Sequence, residues 1–503
     1  MSSYDVVVIG SGLGGLETAC ILAKNGFSVC VLEKNRQLGG TLQLFSKNKH
    51  VFDAGVHYIG GMGKGQVLHR IFSYLEIADK LRLQQMDLSG FDLIQFGNSG
   101  LSYKIPQGKD RFLKIMTDYF PNEKKAIHTY WEDLQRLTEE TPFYNVFKDP
   151  KEFELLPHYT LSIGDYLDQL TSNQTLKNVL AGNNLLYAGQ VYKTPFYVHA
   201  MVSFAYLESA WKCLNGASQI GSLLYTKLKE WGGEARNYAE VKAILTENGI
   251  ATGVQLENGE ILSCSMVVAN IHPIKLLELL DTRLLRQAYV NRINSLENST
   301  SAFTLNIALK PKSFPSINHN IYHHRESEVW TTEYRSEDWP QTLAIFSSGG
   351  DQANPFADTL SVMTYMDWKE VEPWAETERI IPQKRESRGI EYEQWKDEMS
   401  RKVLQELEKA IPGITSCILA YSAQTPLTYR DYLGTPKGSI YGIAMNAKDA
   451  MKYIYSSKQR IENLYLTGQN LNLHGVVGVS ISAIVTCSEI LGQSNLLNQL
   501  RKV

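Results

Sequence analysis

Residues 5–33 leave the chain little choice of opening fold. Asp5-Val-Val-Val-Ile-Gly10 is a short run of β-branched residues, the composition of a strand buried on both faces. Gly10-Ser11-Gly12-Leu13-Gly14-Gly15 follows. A helical stretch over Leu16–Asn25 then ends at Gly26, a second strand covers Phe27–Leu32, and Glu33 closes it. A Gly-x-Gly-x-x-Gly run alone is weak, because glycine-rich loops produce it by chance. Between a strand and a helix, with an acid closing the next strand, it acquires a mechanism. Gly10 permits the tight turn, Gly12 lets the backbone approach a pyrophosphate, and Gly15 lets helix and strand pack closely. The helix N-terminus adds free N–H groups and a partial positive charge. Glu33 can accept from ribose hydroxyls, which argues against a 2′-phosphate at this site. FAD and NAD both meet that rule.

The remaining length is bounded more loosely. A chain of 503 residues holds about three domain-sized units, or two with interleaved segments. With 43% apolar and 20% charged residues it is neither disordered nor fibrous nor a bare coiled coil. Its 50 basic and 53 acidic residues are too balanced for a nucleic-acid partner or for bulk attraction to a membrane. The 6 cysteines are scattered and form no Cys-x-x-Cys pair, so no disulfide framework and no metal site is expected. They read as buried small hydrophobes in a reduced, cytosolic compartment. The run Val6–Ile9 is too short for a signal segment, and no apolar run is long enough to span a bilayer. The expectation is a cytoplasmic protein whose only route to a membrane is peripheral contact.

Downstream, Asp53-Ala-Gly55-Val-His57-Tyr58-Ile-Gly60 follows Gly39-Gly40-Thr41. Strands are predicted at Phe91–Phe96 and Leu101–Ile105. Helical texture covers Lys109–Glu140 and Leu176–Ala210, broken at Pro121 and Pro195. A helix over Ser218–Glu230 leads into a β-meander at Val241–Thr246, Gly253–Leu256 and Ile261–Ala269, and Ser265–Asn270 reads as one more buried strand entering a turn. Strands are also predicted near Phe303–Leu309, Leu343–Ser347 and Leu360–Tyr365. The charged run Gln383–Lys402 reads as a solvated helix face. The end of the chain reads as strand, glycine-rich loop and helix over Leu464–Leu491.

Together, Gly10–Gly15, Glu33-Lys34, Gly39-Gly40 and Asp53–Gly60 resemble the FAD-dependent phytoene desaturase, carotenoid isomerase and all-trans-retinol saturase family, within the amine oxidase-like flavoproteins. Asp53–Gly60 looks most like the retinol saturase branch. Thr425-Pro426-Leu-Thr428, Pro436–Gly442 and Leu464–Gly478 are similar to that branch's late motifs, so the resemblance spans about residues 4–492. It implies an α/β protein with a Rossmann-type FAD-binding domain of the glutathione reductase kind and an interleaved α+β substrate domain. The FAD domain would comprise 1–70, 212–275 and 435–503, and the substrate domain 71–211 and 276–434. By the same resemblance Gly10, Ser11, Gly12, Gly14 and Gly15 would hold the diphosphate, with Glu33 and Lys34 at the adenosine ribose. Gly40 and Thr41 would lie near the phosphates and the flavin edge, and Val241 would face adenine. Gly468, Gln469 and Asn470 would approach the ribityl-phosphate. Gly475, Val477 and Gly478 would pass under the isoalloxazine. Two departures stand out. Cys213-Leu-Asn-Gly-Ala217 replaces the family's Tyr-Pro-x-Gly-Gly, and Gln469 replaces the usual acid, although an amide can still bond a ribityl hydroxyl.

Flavin chemistry asks the protein for orientation and a proton partner. His57 is the first candidate acid, Tyr58 the fallback and His474 a third flavin contact. The structural alternative for each is a packing or loop-orienting residue. Tyr187, Tyr192, Phe196, Tyr197, Phe204, Tyr206 and Trp211 fit a hydrophobic tunnel, a monotopic membrane face or an ordinary core. The leading expectation is reduction of a C=C bond in a hydrophobic polyene or isoprenoid lipid, as in a retinol saturase. Carotenoid desaturation or cis–trans isomerisation is the alternative, ahead of an amine oxidase-like enzyme or a non-catalytic flavin-binding protein. No second Gly-x-Gly-x-x-Gly stands between strand and helix, so NAD(P)H is expected only as a transient electron donor. The sequence leaves the oligomeric state open.

Overall fold

The computed structural model describes residues 3–47, 49–141, 144, 160–349, 355–378, 388–453, 455–471 and 473–502. Its first layer is a seven-stranded sheet in the order Glu234–Arg236, Val29–Leu32, Ser3–Ile9, Ile261–Ala269, Ile250–Leu256 and Val241–Glu247, with Leu464–Leu466 also paired to Ile261–Ala269. Ser3–Ile9 runs parallel to both neighbours, with Val6 opposite Val29 and Ile9 opposite Ala269. Val6, Val7 and Val8 are fully buried, as a strand covered on both faces requires. Ile261–Ala269 serves two purposes. Its first half pairs antiparallel with the meander and its second half parallel with Leu464–Leu466, so the meander strand and the "further" strand at Ser265–Asn270 are one element.

The dinucleotide helix runs Leu13–Lys24, starting three residues earlier than the sequence suggested, because Gly14 and Gly15 form its first turn. Gly26 terminates it at φ +90°, as predicted. Leu16, Ala19, Cys20 and Ala23 face the C-terminal helix Gly475–Leu491 and the helix Ser218–Glu230.

The second seven-stranded sheet has the order Ile418–Gln424, Ser301–Leu309, Thr359–Met366, Thr342–Ser348, Asn320–His324, Asp92–Phe96, Leu101–Ile105. Alternation along one strand divides its two faces. Ala344 and Phe346 join the core of the helices Lys109–Tyr119, Lys124–Glu140 and Phe196–Glu208, while Leu343 and Ile345 join that of helix Ile390–Ala410. The helix breaks at Pro121 and Pro195 fall where expected.

Two strands of this sheet escaped the sequence. Asn320–His324 is polar in composition yet wholly buried, because His323 bonds Glu406 and Gln95 and His324 bonds Thr342 and the carbonyl of Gly182. Ile418–Gln424 is the half-exposed edge strand. The charged run at 383–402 lies partly outside the described residues. From Ile390 on it is a helix whose stripe of Tyr392, Met399, Val403 and Leu407 is buried, so only its other face is solvated. In the aromatic stretch, Tyr187, Phe196 and Phe204 are core residues, Tyr197, Tyr206 and Trp211 are half-buried, and Tyr192 is exposed. Among the described residues no helix is long and apolar enough to cross a membrane.

Candidate functional site

A cavity of about 1040 Å³ opens along the carboxyl ends of the parallel strands of the first sheet. Open α/β sheets bind ligands at this edge. Its near end is the glycine turn. A Cβ on Gly15 would lie 2.0 Å from the Gly10 carbonyl oxygen, and one on Gly14 2.9 Å from the Gly468 Cα. Gly10 itself has φ +92°. The helix therefore begins directly against the strand, and its first N–H groups face the cavity.

Glu33, almost fully buried, is held ready at the end of its strand. Its Oε2 accepts from the Ser11 N–H (3.1 Å) and hydroxyl (2.6 Å), and its Oε1 from the Asn35 N–H (2.9 Å). Ser11 in turn accepts from Gly39 N–H at 3.1 Å on Oγ, which ties the turn to the Gly39–Gly40 loop. Lys34 reaches the Asp431 carbonyl at 3.1 Å, and burial lowers its pKa. Above it the helix Pro426–Leu433 is anchored by the buried Arg388–Asp431 ion pair.

At the far end, the helix Gly475–Leu491 points its N-terminus at the cavity, presenting Gly475, Val476 and Val479. Cavity-facing positions one and four residues apart follow from the helical period. Val477 and Gly478 do not line the cavity: Val477 packs toward Gly61, and a Cβ on Gly478 would lie 2.7 Å from the Leu473 backbone. Asn470 lines the cavity and accepts from Ile443 N–H at 3.0 Å, which fastens the late motif Pro436–Gly442 over the site.

The outer wall comes from the second sheet (Thr304, Met363), the helix Pro426–Leu433 (Tyr429) and two loop residues, His57 and Tyr441. The His57 ring stacks on Phe346 with centroids 4.3 Å apart and planes 11° apart. Burial lowers its pKa to about 4, so the imidazole is neutral at pH 7. That corrects the expectation of an imidazole able to act as an acid near neutral pH. Tyr58 does not reach the cavity. It is buried behind His57, bonded to Asp92 (3.2 Å) and Tyr322 (2.8 Å). His474 is buried beside Tyr441, centroids 4.6 Å apart, and burial lowers its pKa to about 4 as well.

Of the predicted cofactor residues, Gly10, Gly12, Gly14, Glu33, Lys34, Gly40, Thr41, Val241, Gln469, Asn470 and Gly475 line this cavity. Ser11, Gly15, Gly468, Val477 and Gly478 do not. Ser11, Gly15 and Gly468 shape the turn from behind, and Val477 and Gly478 pack the helix. The loop Cys213–Ala217 also stands off the cavity, tied down by Asp53 Oδ1, which accepts from Ala217 N–H at 3.0 Å. Asn270 escaped the sequence reading. It ends the central strand, donates from Nδ2 to the Gly10 carbonyl (3.3 Å), and packs against Gly12, Gly14, Gly15 and Gly468. A buried strand ending in an amide at the binding edge was the available signal.

These residues fit a dinucleotide: a cradle that any Cβ would fill, an acid for a ribose, and a helix end beyond. The cavity lies at the upper end of the usual ligand-pocket range of about 300–1,000 Å³. A family model described as an NAD(P)-binding Rossmann-like domain matches residues 8–75. An all-trans-retinol 13,14-reductase from Danio rerio is 26% identical, covering 98% of this chain and 86% of its own. A chloroplastic prolycopene isomerase from Daucus carota is 24% identical, covering 98% of this chain and 81% of its own. Among solved structures, a putrescine oxidase superposes with a TM-score of 0.67 at 14% identity, covering 97% of this chain and 99% of its own. The fold is that of the amine oxidase-type flavoproteins. The resemblance read from the motifs extends over nearly the whole chain, with all-trans-retinol 13,14-reductases and prolycopene isomerases among the relatives it matches.

Proposed function

We propose that the chain reduces a C=C bond of a hydrophobic polyene or isoprenoid lipid, in the manner of a retinol saturase. The observation that carries this reading is the continuity of the cavity. It runs from Glu33 and Val241, past Gly40, Thr41 and the Gly475 helix end, to the wall of His57, Met363 and Tyr441. Bound there, FAD would supply hydride at the N5 edge of its flavin ring. The strands and helices around 3–70, 212–275 and 435–502 form the FAD-binding domain, and the second sheet with its helices forms the substrate domain. Glu33 takes the adenosine ribose, and the Gly12–Gly14 turn takes the diphosphate. The Gly475 helix end favours negative charge on the reduced ring. His57, neutral and stacked, orients the substrate side. The electron donor is a nicotinamide that visits transiently, and a lipid-soluble substrate is met in the cytoplasm or at a membrane surface.

The prolycopene isomerase relative supports a second reading, cis–trans isomerisation or desaturation of a carotenoid by the same site. One anaerobic experiment separates them. The purified protein is reduced with NADPH or dithionite and mixed with all-trans-retinol, and the flavin and polyene bands are followed together. Reoxidation of the flavin with a shift of the polyene band to shorter wavelength supports reduction. In a parallel mixture with oxidised enzyme, bleaching of the flavin with a shift to longer wavelength supports desaturation, and a changed polyene band with no net flavin redox change supports isomerisation. Absence of flavin after reconstitution with FAD overturns both.

A further inference from the structure

The helix Pro426–Leu433 is fastened at its two ends to different sheets. At its start Thr425 caps it and shares a hydrogen bond with Tyr392 of helix Ile390–Ala410 at 2.8 Å. Tyr429 shares another with Thr304 of the second sheet at 2.7 Å. At its end the helix leaves carbonyls without partners of their own, and the donors come from the first sheet. Lys34 and Asn35 follow the strand Val29–Leu32 and Glu33. Lys34 Nζ donates to the Asp431 carbonyl at 3.1 Å, and Asn35 Nδ2 to the Tyr432 carbonyl at 3.0 Å. A cation at a helix C-terminus is further favoured by the helix dipole. Glu33, Lys34 and Asn35 line the cavity from one side, and every residue from Tyr429 to Lys437 lines it from the other. The helix is therefore a roof over the end of the cavity that holds Glu33, and two side-chain donors close it.

The outer support of this roof is polar. The Asp431 carboxylate, 1% exposed, accepts from Arg388 Nη2 and, at 2.8 Å, from Arg430 Nε. Arg388 Nη1 donates to the Thr377 carbonyl at 2.7 Å, and Arg430 donates to the carbonyls of Ala375 and Thr377. These bonds tie the helix to the segment that follows the short helix Trp368–Trp374. The apolar support is a small cluster apart from the main cores. Val371, Tyr392 and Leu427 are its buried members, with Trp368, Trp374 and Trp395 around them. A unit with so few buried apolar contacts opens at a lower free energy than the cores it borders. The roof can lift when Lys34 and Asn35 let go of its last turn.

Resting on the FAD-binding part of the reading above, we propose that the helix Pro426–Leu433 is the gate of the cofactor site, and that Lys34 and Asn35 are the clasp that shuts it on bound FAD. Glu33 fixes where the ribose sits, and the two residues after it fix how long it stays. FAD enters and leaves through the open state. A change in the opening equilibrium therefore multiplies the entry and release rates alike and nearly cancels from the affinity. Lys34 and Asn35 are positioning residues in this role, and Arg388 and Asp431 hold the roof in register with them.

The test follows FAD entering the apoprotein and leaving the loaded protein by stopped-flow flavin fluorescence. Asn35→Ala deletes one clasp bond. Both rates should rise roughly two- to tenfold, with the affinity nearly unchanged. Arg388 stands off the cavity. Arg388→Met frees the helix from Thr377 and should also raise both rates. Should Arg388→Met not fold, Asn35→Ala, in a half-buried turn, carries the test. Faster release without faster entry in Asn35→Ala would mean that the side chain binds FAD directly, and would overturn the gate. Parent rates in both variants would overturn it as well. A protein that takes up no FAD sinks the functional reading and the gate together. Quickened exchange in a protein that reduces no polyene supports the gate and sinks polyene reduction alone.

Discussion

The two ends of the cavity are built on opposite principles. The dinucleotide end is backbone held in place by the absence of side chains: Gly10, Gly14 and Gly15 bring a strand, a helix start and the Gly468 turn to contact distance. The substrate end is a wall of side chains, His57 on Phe346 with Tyr58, Tyr206 and Tyr322 behind, drawn from the second sheet, a helix and the loop before Ile59. The first tolerates no added atom and should fail by losing its ligand. The second is packed from large rings and should fail by losing stability or specificity while the flavin stays.

The largest effect on flavin binding should come from Gly15→Ala. Its Cβ would sit 2.0 Å from a backbone oxygen, and neither helix nor strand can yield without opening the cradle. An overpacking cost of about 3 kcal/mol corresponds to roughly a hundredfold loss of FAD affinity. The check is flavin absorbance retained after gel filtration. Gly26→Ala sharpens the contrast. That glycine has φ +90° with nothing within 4 Å, so only the left-handed backbone is strained. Stability should fall by about 1–2 kcal/mol, with flavin binding untouched.

Phe346→Ala tests the other end. The ring is 5% exposed and supports His57 from behind. Its removal should cost about 3–5 kcal/mol, seen as a lowered melting temperature, while the flavin content of the folded protein stays at the parent level. Loss of flavin in Phe346→Ala, or its retention in Gly15→Ala, would break the comparison.

The same contrast decided what the sequence could reveal. The cradle is local: strand, turn, helix and acid lie within residues 3–33, and each residue type has one reason to be there. Its remote partner Asn270 was passed over because an asparagine at a strand end reads equally as a turn. The wall has no local signature. Tyr58 follows His57 directly, yet one lines the cavity and the other is buried behind it, because successive residues of an extended segment point opposite ways. Asp92 looked like any strand-edge acid until Asn320, Asn183 and Tyr58 were brought to it from distant segments. The strand Asn320–His324 was missed for the same reason: its two histidines are core residues only because Glu406 and Thr342 meet them. For the C-terminal helix, the motif located the helix end, but which of Gly475–Val479 would face the cavity was a matter of phase.

Glu17 carries the comparison into pH dependence. It is buried on the dinucleotide helix, with Ser480 donating to Oε1 at 2.8 Å and, among the described residues, no partner on Oε2. Burial pushes its pKa up to about 8. The folded protein thus keeps a proton that the unfolded chain has already released. Stability contributed by this group is whole below the ordinary carboxylate range and is lost as pH rises toward 8. Between about pH 6 and 9 the loss should be roughly 2–3 kcal/mol. Glu17→Gln keeps an acceptor for Ser480 and cannot ionise. Its melting temperature should therefore fall less than the parent's over that interval. An equal fall in both would show that Glu17 does not titrate there.

The smallest effect is expected at Gln469, where this chain departs from the family its motifs resemble. Gln469 lines the cavity next to Thr467 and Asn470, on a turn already fixed by the bond from Ile443 N–H to Asn470. The turn does not need the Gln469 side chain for its shape, so Gln469→Ala removes at most one hydrogen bond to a ligand. A neutral bond of that kind contributes about 0.5–1.5 kcal/mol, or roughly a two- to tenfold loss of FAD affinity. Gln469→Glu restores the acid. A carboxylate accepts from a ribityl hydroxyl as an amide oxygen does, but it adds negative charge close to the diphosphate, so affinity should change by no more than about threefold. Titration of apoprotein with FAD, read by quenching of flavin fluorescence, measures both. A loss in Gln469→Ala as large as that in Gly15→Ala would mean that the dinucleotide end also depends on side chains, and the distinction between its two ends would no longer hold.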